Sequence, residues 1–244
     1  MDKPITPLAT SLEQPHAAGR RQALRGLALL GAGALGWPLA ARAETGNLEQ
    51  IKARGVLTVA VYDNLPPYFV KGQGGIELRL AEAIAADLGV KASFLPFPGD
   101  DEMADDLRAM VWKGHYLGYG PADIMLHVPV DRPLMVANPQ VRIFAPYCRE
   151  RVMLARSRKA LPQLDDLQPL KGQAIAVSGD SLPGMLLLGA EGGVLQPGLR
   201  TTFPHGVAAA QALLRGEVQA AGGLQSELES VLAGNPDFEI GPLP

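Results

Sequence analysis

Hydrophobic and polar positions along the chain alternate between the period of a β-strand and the period of a helix. Residues 57–61 predict a strand after Gly55, because small and β-branched side chains alternate there. From Ile76 to Leu88, apolar side chains recur at helical spacing, which predicts a helix that ends at Gly89. Residues 92–95 predict a second strand. Together these segments form a βαβ unit, with parallel strands and a right-handed crossover.

A second α/β set follows residues 157–172, a segment that contains Pro162 and Pro169 and marks a change in composition. Before it, the pattern predicts a helix over 105–112, a strand over 123–126 and extended segments over 141–147 and 152–155. After it, the predicted strands are 174–177, 200–203, 218–221 and 238–240. Three helices are predicted in the same part of the chain: one that begins at Pro183, and two that cover 207–214 and 224–232. This alternation predicts an α/β fold with parallel-rich sheets flanked by helices.

The first 43 residues have the pattern of an export signal. Arg20-Arg21 precedes an apolar run over 27–41, and Ala41-Arg42-Ala43 provides an A-x-A cleavage site. We therefore expect cleavage after Ala43 and a mature protein in the periplasm. The paired arginines favour the twin-arginine route, but that motif usually has Phe where Ala23 stands, so an ordinary secretory signal stays open. A membrane anchor is disfavoured, because a span needs about 20 apolar residues.

Charge and cysteine usage exclude several function classes. Residues 1–43 hold five of the 22 basic and two of the 25 acidic residues, so the mature chain has 17 basic and 23 acidic residues and a net charge of −6. No basic block is present, and nucleic acid is therefore not an expected partner. Cys148 is the only cysteine, and we expect it to be a buried thiol. Without a C-x-x-C or H-x-x-x-H spacing, the sequence predicts neither a metal site nor a cofactor.

Short motifs occur in the order found in one family of binding proteins. They are RGVLTV (54–59), LPPYF (65–69), GIEL before LAEAI (75–84), GPAD (120–123), VDR (130–132), FAPY (144–147), LKG before IAV (170–177) and ALLRGEV (212–218). No one of them is specific, but the ordered set resembles the bacterial extracellular solute-binding proteins of family 3, the amino-acid type that feeds ABC importers. The resemblance implies the type II periplasmic-binding-protein fold, with two α/β lobes at 44–150 and 151–244 and a ligand cleft at the hinge.

The resemblance also implies residues that contact the ligand. In family members the arginine that matches Arg132 holds the carboxylate of the ligand through a bidentate pair. Asp180 and Ser181 stand where the second lobe usually offers hydrogen-bond donors. The alternatives are that Arg132 is solvated or paired with Asp131, and that Asp180 and Ser181 only cap a helix.

An aromatic segment supplies further candidates. Residues 112–121 (WKGHYLGYGP) are longer and more aromatic than the usual family segment, and with His127 they predict an aromatic wall for the cleft. We therefore predict ligand contacts from Tyr119 and His127, and from Tyr68 in the loop after the first strand. Such a wall is compatible with the family branch encoded with quinoprotein alcohol dehydrogenases. The alternatives are that Trp112 and Tyr116 fill gaps in the core and that His127 is an ordinary polar residue.

The chain departs from the family pattern in three places, two of which bear on the ligand. Gln219 replaces the usual Asp, and Leu224 stands where the acid that binds the ligand ammonium is expected. A buried ammonium without a carboxylate is costly, so a free α-amino acid is a doubtful ligand. Leu65 replaces an aromatic residue that often covers the ligand. The chain also stops at residues 242–244 without the usual return to the first lobe, from which we expect a truncated or degenerate family member.

The sequence therefore predicts a non-enzymatic, monomeric periplasmic binding protein that captures a small polar or anionic ligand for uptake through an ABC permease. Two alternatives stay open. One is an accessory protein of a periplasmic quinoprotein dehydrogenase. The other is a dehydratase-like enzyme on the same scaffold, which needs a tuned acid or base. Glu77, Asp123 and His127 are candidates for that role, none of them with a recognisable partner in the sequence.

Overall fold

The computed structural model describes residues 48–244, and the predicted export signal and its cleavage site lie outside these residues. The helices are α1 (Leu48–Arg54), α2 (Ile76–Leu88), α3 (Met103–Leu107), α4 (Arg132–Ala137), α5 (Leu182–Gly189), α6 (Gly206–Leu214) and α7 (Gln225–Leu232). The strands are β1 (Val56–Tyr62), β2 (Asn64–Leu65), β3 (Phe69–Val70), β4 (Lys91–Phe97), β5 (Ile124–Met125), β6 (Val152–Ser157), β7 (Ile175–Ala176), β8 (Leu199–Arg200), β9 (Ala220–Leu224) and β10 (Phe238–Pro242). Within 48–244, no helix has the length and apolar character needed to cross a bilayer.

The first sheet contains three parallel strands in the order β4-β1-β5. The predicted parallel pairing of β1 with β4 is confirmed. Leu57, Val59 and Val61 of the central strand are buried, and they pack in one cluster with Ala81 of α2. The predicted second strand stops before Pro96, whereas β4 includes it. Proline is tolerated there because β4 lies at the edge of the sheet, where a missing N–H costs no ladder bond.

The second sheet contains five strands in the order β10-β6-β9-β7-β8. Strands β9, β7 and β8 are parallel, whereas β6 runs antiparallel to both β9 and β10. Neighbouring strand residues point to two different cores. Ala176 packs in a cluster with side chains of α6 and α7, whereas Ile175 packs in another that includes Leu187 of α5. Helices therefore cover both faces of this sheet, as its parallel strands require.

Some local predictions were wrong, for identifiable reasons. The segment 141–147 forms no strand, since Ala145 has a left-handed backbone with φ 55° and Pro146 has no N–H to donate. Helix α4 was not predicted, although Asp131 caps it by accepting a hydrogen bond from the amide of Leu134. The thiol of Cys148 is exposed rather than buried, because the loop around it is exposed on both sides. Helix α3 continues as a π-helical turn, Arg108–Trp112.

Candidate functional site

The carboxyl ends of the three parallel strands meet at one edge of the first sheet. Strand β1 ends at Tyr62, β4 ends at Phe97, and His127 lies two residues beyond β5. Helix α2 begins beside this edge, because the amide of Glu77 donates to the carbonyl of Tyr68 over 3.0 Å. Ligands of open α/β sheets bind at such edges, where strands end and helices begin.

Gly75 permits this close approach of α2 to the preceding loop. Its φ of +151° lies in a region that favours glycine, and a Cβ there would stand 2.0 Å from the carbonyl oxygen of Tyr68. The tight contact places the side chain of Glu77 in the interior, where it is 0% exposed. A completely buried carboxylate requires hydrogen-bond partners, so its surroundings define the site.

Glu77 lies at the centre of a hydrogen-bond network. Its Oε1 accepts from the hydroxyl of Tyr147 over 2.6 Å and lies 3.0 Å from Nδ1 of His127. The Tyr147 hydroxyl in turn accepts from the amide of His127 over 2.9 Å. Glu77 and His127 are therefore partners, which the sequence did not reveal. Asp123, the third candidate acid, is instead paired with Arg54.

Three tyrosine hydroxyls each donate to a carboxylate near this edge. The pairs are Tyr62 with Asp106, at 2.8 Å, Tyr68 with Glu150, and Tyr147 with Glu77. Burial, followed by the hydrogen bond to the neighbouring carboxylate, raises the pKa of each tyrosine well above its ordinary value. All three hydroxyls therefore keep their protons at neutral pH. Burial also raises the pKa of Asp106.

Glu150 links this edge to the second sheet. One of its carboxylate oxygens accepts from the Tyr68 hydroxyl, and the other lies 3.4 Å from the amide nitrogen of Ser226, in the first turn of α7. Because α7 directly follows β9, Ser226 lies at the carboxyl edge of that strand. A carboxylate at a helix N-terminus is also favoured by the helix dipole. Tyr68, Glu150 and Ser226 thus connect the carboxyl edges of the two sheets.

The structure brings two of the six predicted ligand residues into contact. The rings of Tyr68 and His127 lie 4.5 Å apart between centroids, and Tyr62 approaches His127 edge-on at 6.5 Å. Tyr119 is not part of this group. It stacks on His115 at 4.2 Å and lines a cavity of about 240 Å³ beside α3.

No hydrogen bond, ion pair or ring contact within 48–244 joins the other three predicted residues to this aromatic group. Arg132 begins α4 and is exposed. It is not paired with Asp131, whose carboxylate caps the helix. Ser181 caps α5 by accepting from the amide of Gly184 over 3.2 Å, and Asp180 beside it is exposed.

The residues that depart from the family pattern have structural roles. Gln219 accepts from the amide of Ala174 over 3.1 Å, and Leu224 pairs with Val152 in the ladder between β9 and β6. A carboxylate is still present at this edge, because Glu150 lies two residues before Val152. Sequence reasoning missed Glu150, since the register that brings β6 beside β9 is not visible in the sequence.

The network supplies hydrogen-bond acceptors and aromatic surface rather than metal ligands. In the part of the chain that the structure describes, no group of three or more His, Cys, Asp and Glu side chains is placed to hold a metal ion. The buried oxygen Oε2 of Glu77 has no hydrogen-bond partner among these residues.

Comparison with known proteins shows what this architecture is similar to. No family model matches the chain, and no curated protein matches it. Among solved structures, an ancestral cationic amino acid solute-binding protein is 19% identical, with a TM-score of 0.60 and coverage of 81% of this chain and 80% of that chain. The cysteine-binding protein from Campylobacter jejuni is 19% identical, with a TM-score of 0.51 and coverage of 80% and 74%. The solute receptor for L-cysteine of Neisseria gonorrhoeae is 22% identical, with a TM-score of 0.50 and coverage of 82% and 77%. At these identities the likeness concerns the fold, and the described chain has the α/β fold of type II solute-binding proteins.

Proposed function

We propose that this protein is a periplasmic solute-binding protein that captures a small polar or anionic ligand between the carboxyl edges of its two sheets, for ABC-type uptake. In this proposal the lobes are 44–150 and 151–244, and Arg132 contacts the carboxylate of the ligand. The observation that carries the proposal is the link from Tyr68 through Glu150 to Ser226, because it brings the two ligand-binding edges of the fold within hydrogen-bond reach.

The comparisons support a ligand of amino-acid size. The proteins of similar fold are described as solute-binding proteins or receptors for cationic amino acids or cysteine. Glu150 also weakens the main objection to a ligand with an ammonium group, which was the absence of an acid at Gln219 and Leu224, because it places a partly exposed carboxylate at this edge. A polar ligand with both a carboxylate and a donor group therefore fits the proposal best.

A titration tests this proposal. Thermal-shift screening of amino acids, hydroxy acids and simple carboxylates identifies the compound that stabilises the protein most, and calorimetry then measures its affinity. We expect saturable binding, weakened roughly tenfold to a hundredfold by Arg132→Ala, because a charge-assisted hydrogen bond contributes about 1.5 to 3 kcal/mol. Arg79→Ala is the matched control, since Arg79 is exposed on α2. Unchanged affinity of the Arg132→Ala protein contradicts the assigned carboxylate contact, and a screen without any binder contradicts the function.

One observation favours a second candidate, a dehydratase-like enzyme on the same scaffold. The pairing of Glu77 with His127 gives a candidate base the oriented partner that such an enzyme needs. Incubation of the protein with each stabilising compound, followed by product analysis, distinguishes the two functions. Turnover that is lost in His127→Phe would make the protein an enzyme, whereas binding without turnover favours the solute-binding protein.

A further inference from the structure

We propose that Glu77 holds His127 with its proton on Nδ1, so that Nε2 is a hydrogen-bond acceptor for the ligand. This inference rests on the proposed function and deepens it, because it names the ligand group that the first sheet recognises: an O–H or N–H donor. Glu77 acts as a positioning residue and His127 as the contact.

The hydrogen bonds around Glu77 indicate which ring nitrogen of His127 carries the proton. The Tyr147 hydroxyl accepts from the amide of His127, and it donates its own proton to Oε1 of Glu77. An ionised carboxylate can only accept hydrogen bonds. With Glu77 ionised, as the proposal takes it to be, the 3.0 Å contact between Oε1 and Nδ1 places the proton on Nδ1 of His127. A neutral imidazole carries one proton, so in the neutral ring a proton on Nδ1 leaves Nε2 with a free lone pair.

The surroundings of the imidazole leave Nε2 available. No hydrogen bond to Nε2 occurs within 48–244, and the His127 side chain is 23% exposed, whereas that of Glu77 is 0% exposed. Because the two nitrogens lie on different sides of the ring, anchoring Nδ1 on a buried carboxylate directs Nε2 away from the interior. Tyr68 packs against the ring and Tyr62 lies at its edge, so the orientation is held from two further directions.

The charges near His127 favour a ligand that donates hydrogen bonds. Three carboxylates lie near the ring, those of Glu77, Asp106 and Glu150. Within 48–244, none of them forms an ion pair with lysine or arginine. Each of them accepts a hydrogen bond from a tyrosine hydroxyl. The tyrosine protons are used in these bonds. What this edge offers to a ligand is acceptor capacity, from Nε2 and from the carboxylates behind it. A hydroxyl or an ammonium group complements this edge, and a bare carboxylate does not.

Nuclear magnetic resonance of the unliganded protein tests the assigned tautomer without any ligand. The chain has four histidines, so the spectrum of His127→Phe identifies the signals of His127 in a long-range ¹H–¹⁵N correlation. At a pH about two units above the ordinary imidazole pKa, we expect a protonated Nδ1 and an unprotonated Nε2. Glu77→Leu should abolish this preference, whereas Glu82→Gln, on the exposed face of α2, should preserve it. A wild-type His127 that carries its proton on Nε2 overturns the proposal, whether or not the Leu variant folds.

Three probes with the same carbon skeleton test the donor. Propionate has no donor beside its carboxylate, lactate has a hydroxyl, and alanine has an ammonium group. We expect lactate or alanine to shift the Nε2 signal of His127 and to bind about tenfold more tightly than propionate, a preference that His127→Phe removes. Equal affinities of all three overturn the donor assignment but leave the solute-binding function standing. An Nε2 signal unmoved by all three at saturating or millimolar concentrations overturns the contact itself, even if another compound binds elsewhere.

Discussion

At the scale of single residues, the site depends on tyrosines that keep buried carboxylates hydrogen-bonded. Glu77 is the extreme case, because its carboxylate is 0% exposed and, among residues 48–244, only its Oε1 has hydrogen-bond partners, Tyr147 and His127. The network lies at the carboxyl edge of the first sheet, so under the proposed function a change that weakens it affects stability and binding together. These side-chain pairs could not be predicted from the sequence, because the partners are 70 and 50 positions apart.

Tyr147→Phe tests the cost of weakening this network. The variant removes a donor from a buried carboxylate, and we expect a loss of about 1 to 3 kcal/mol in the free energy of unfolding. Urea denaturation measures it. Tyr116→Phe is the matched control, because Tyr116 is 88% exposed, and its change should stay within about 0.5 kcal/mol. Equal stability of the two variants would show that the Tyr147 hydroxyl is not a required partner of Glu77.

The tyrosine pKa values predict how stability changes in alkali. Burial and adjacent carboxylates raise the folded-state pKa of Tyr62, Tyr68 and Tyr147 above the unfolded value of about 10. The folded state therefore holds more protons above that pH, so stability is fully present below about pH 10 and falls as the pH rises further. Urea midpoints from pH 8 to pH 11 measure the decline. Tyr62→Phe should flatten it and Tyr116→Phe should not; an equal decline in both proteins contradicts the assignment.

At the scale of elements, strand and helix positions were largely predictable, because they depend on local periodicity. Helix α2 ends at Gly89 as its pattern indicates, and β1 and β4 pair in parallel. Their lateral arrangement was not predictable. Glu150 reaches Ser226 only because β6 lies antiparallel beside β9, and nothing in the local sequence specifies that register. The segment 141–147 likewise looked extended, but it supplies Tyr147 from a loop.

Gly75→Ala tests the contact that places Glu77. A Cβ at Gly75 would stand 2.0 Å from the carbonyl oxygen of Tyr68, so α2 or the loop must move. We expect a loss of roughly 3 to 5 kcal/mol, from backbone strain together with overpacking. Gly72→Ala is the control, because Gly72 also has a positive φ, of +82°, but a Cβ there meets no atom of the described residues within 4 Å. Similar losses in the two variants would mean that backbone conformation alone, and not close packing, accounts for the effect.

At the scale of the whole molecule, the proposed function requires two sheets that present their carboxyl edges to one ligand. Tyr68 and Glu150 connect the two edges, and the edge of the second sheet contributes the first turn of α7. The alternative place for a small molecule is the cavity lined by Phe97, Asp106 and Tyr119, which belongs to the first sheet and its helices. The two locations predict different patterns of protection when a ligand binds.

Hydrogen–deuterium exchange of the backbone amides, measured with and without the most stabilising compound from the screen, distinguishes these two ligand locations directly. Binding between the two edges predicts slower amide exchange in two places at once: in residues 124–132, which cover β5 and the segment after it, and in residues 224–228, at the start of α7. Peptides that cover 97–119 should change little. Protection confined to 97–119, or to one of the two sheets, would contradict binding between the edges and place the ligand elsewhere.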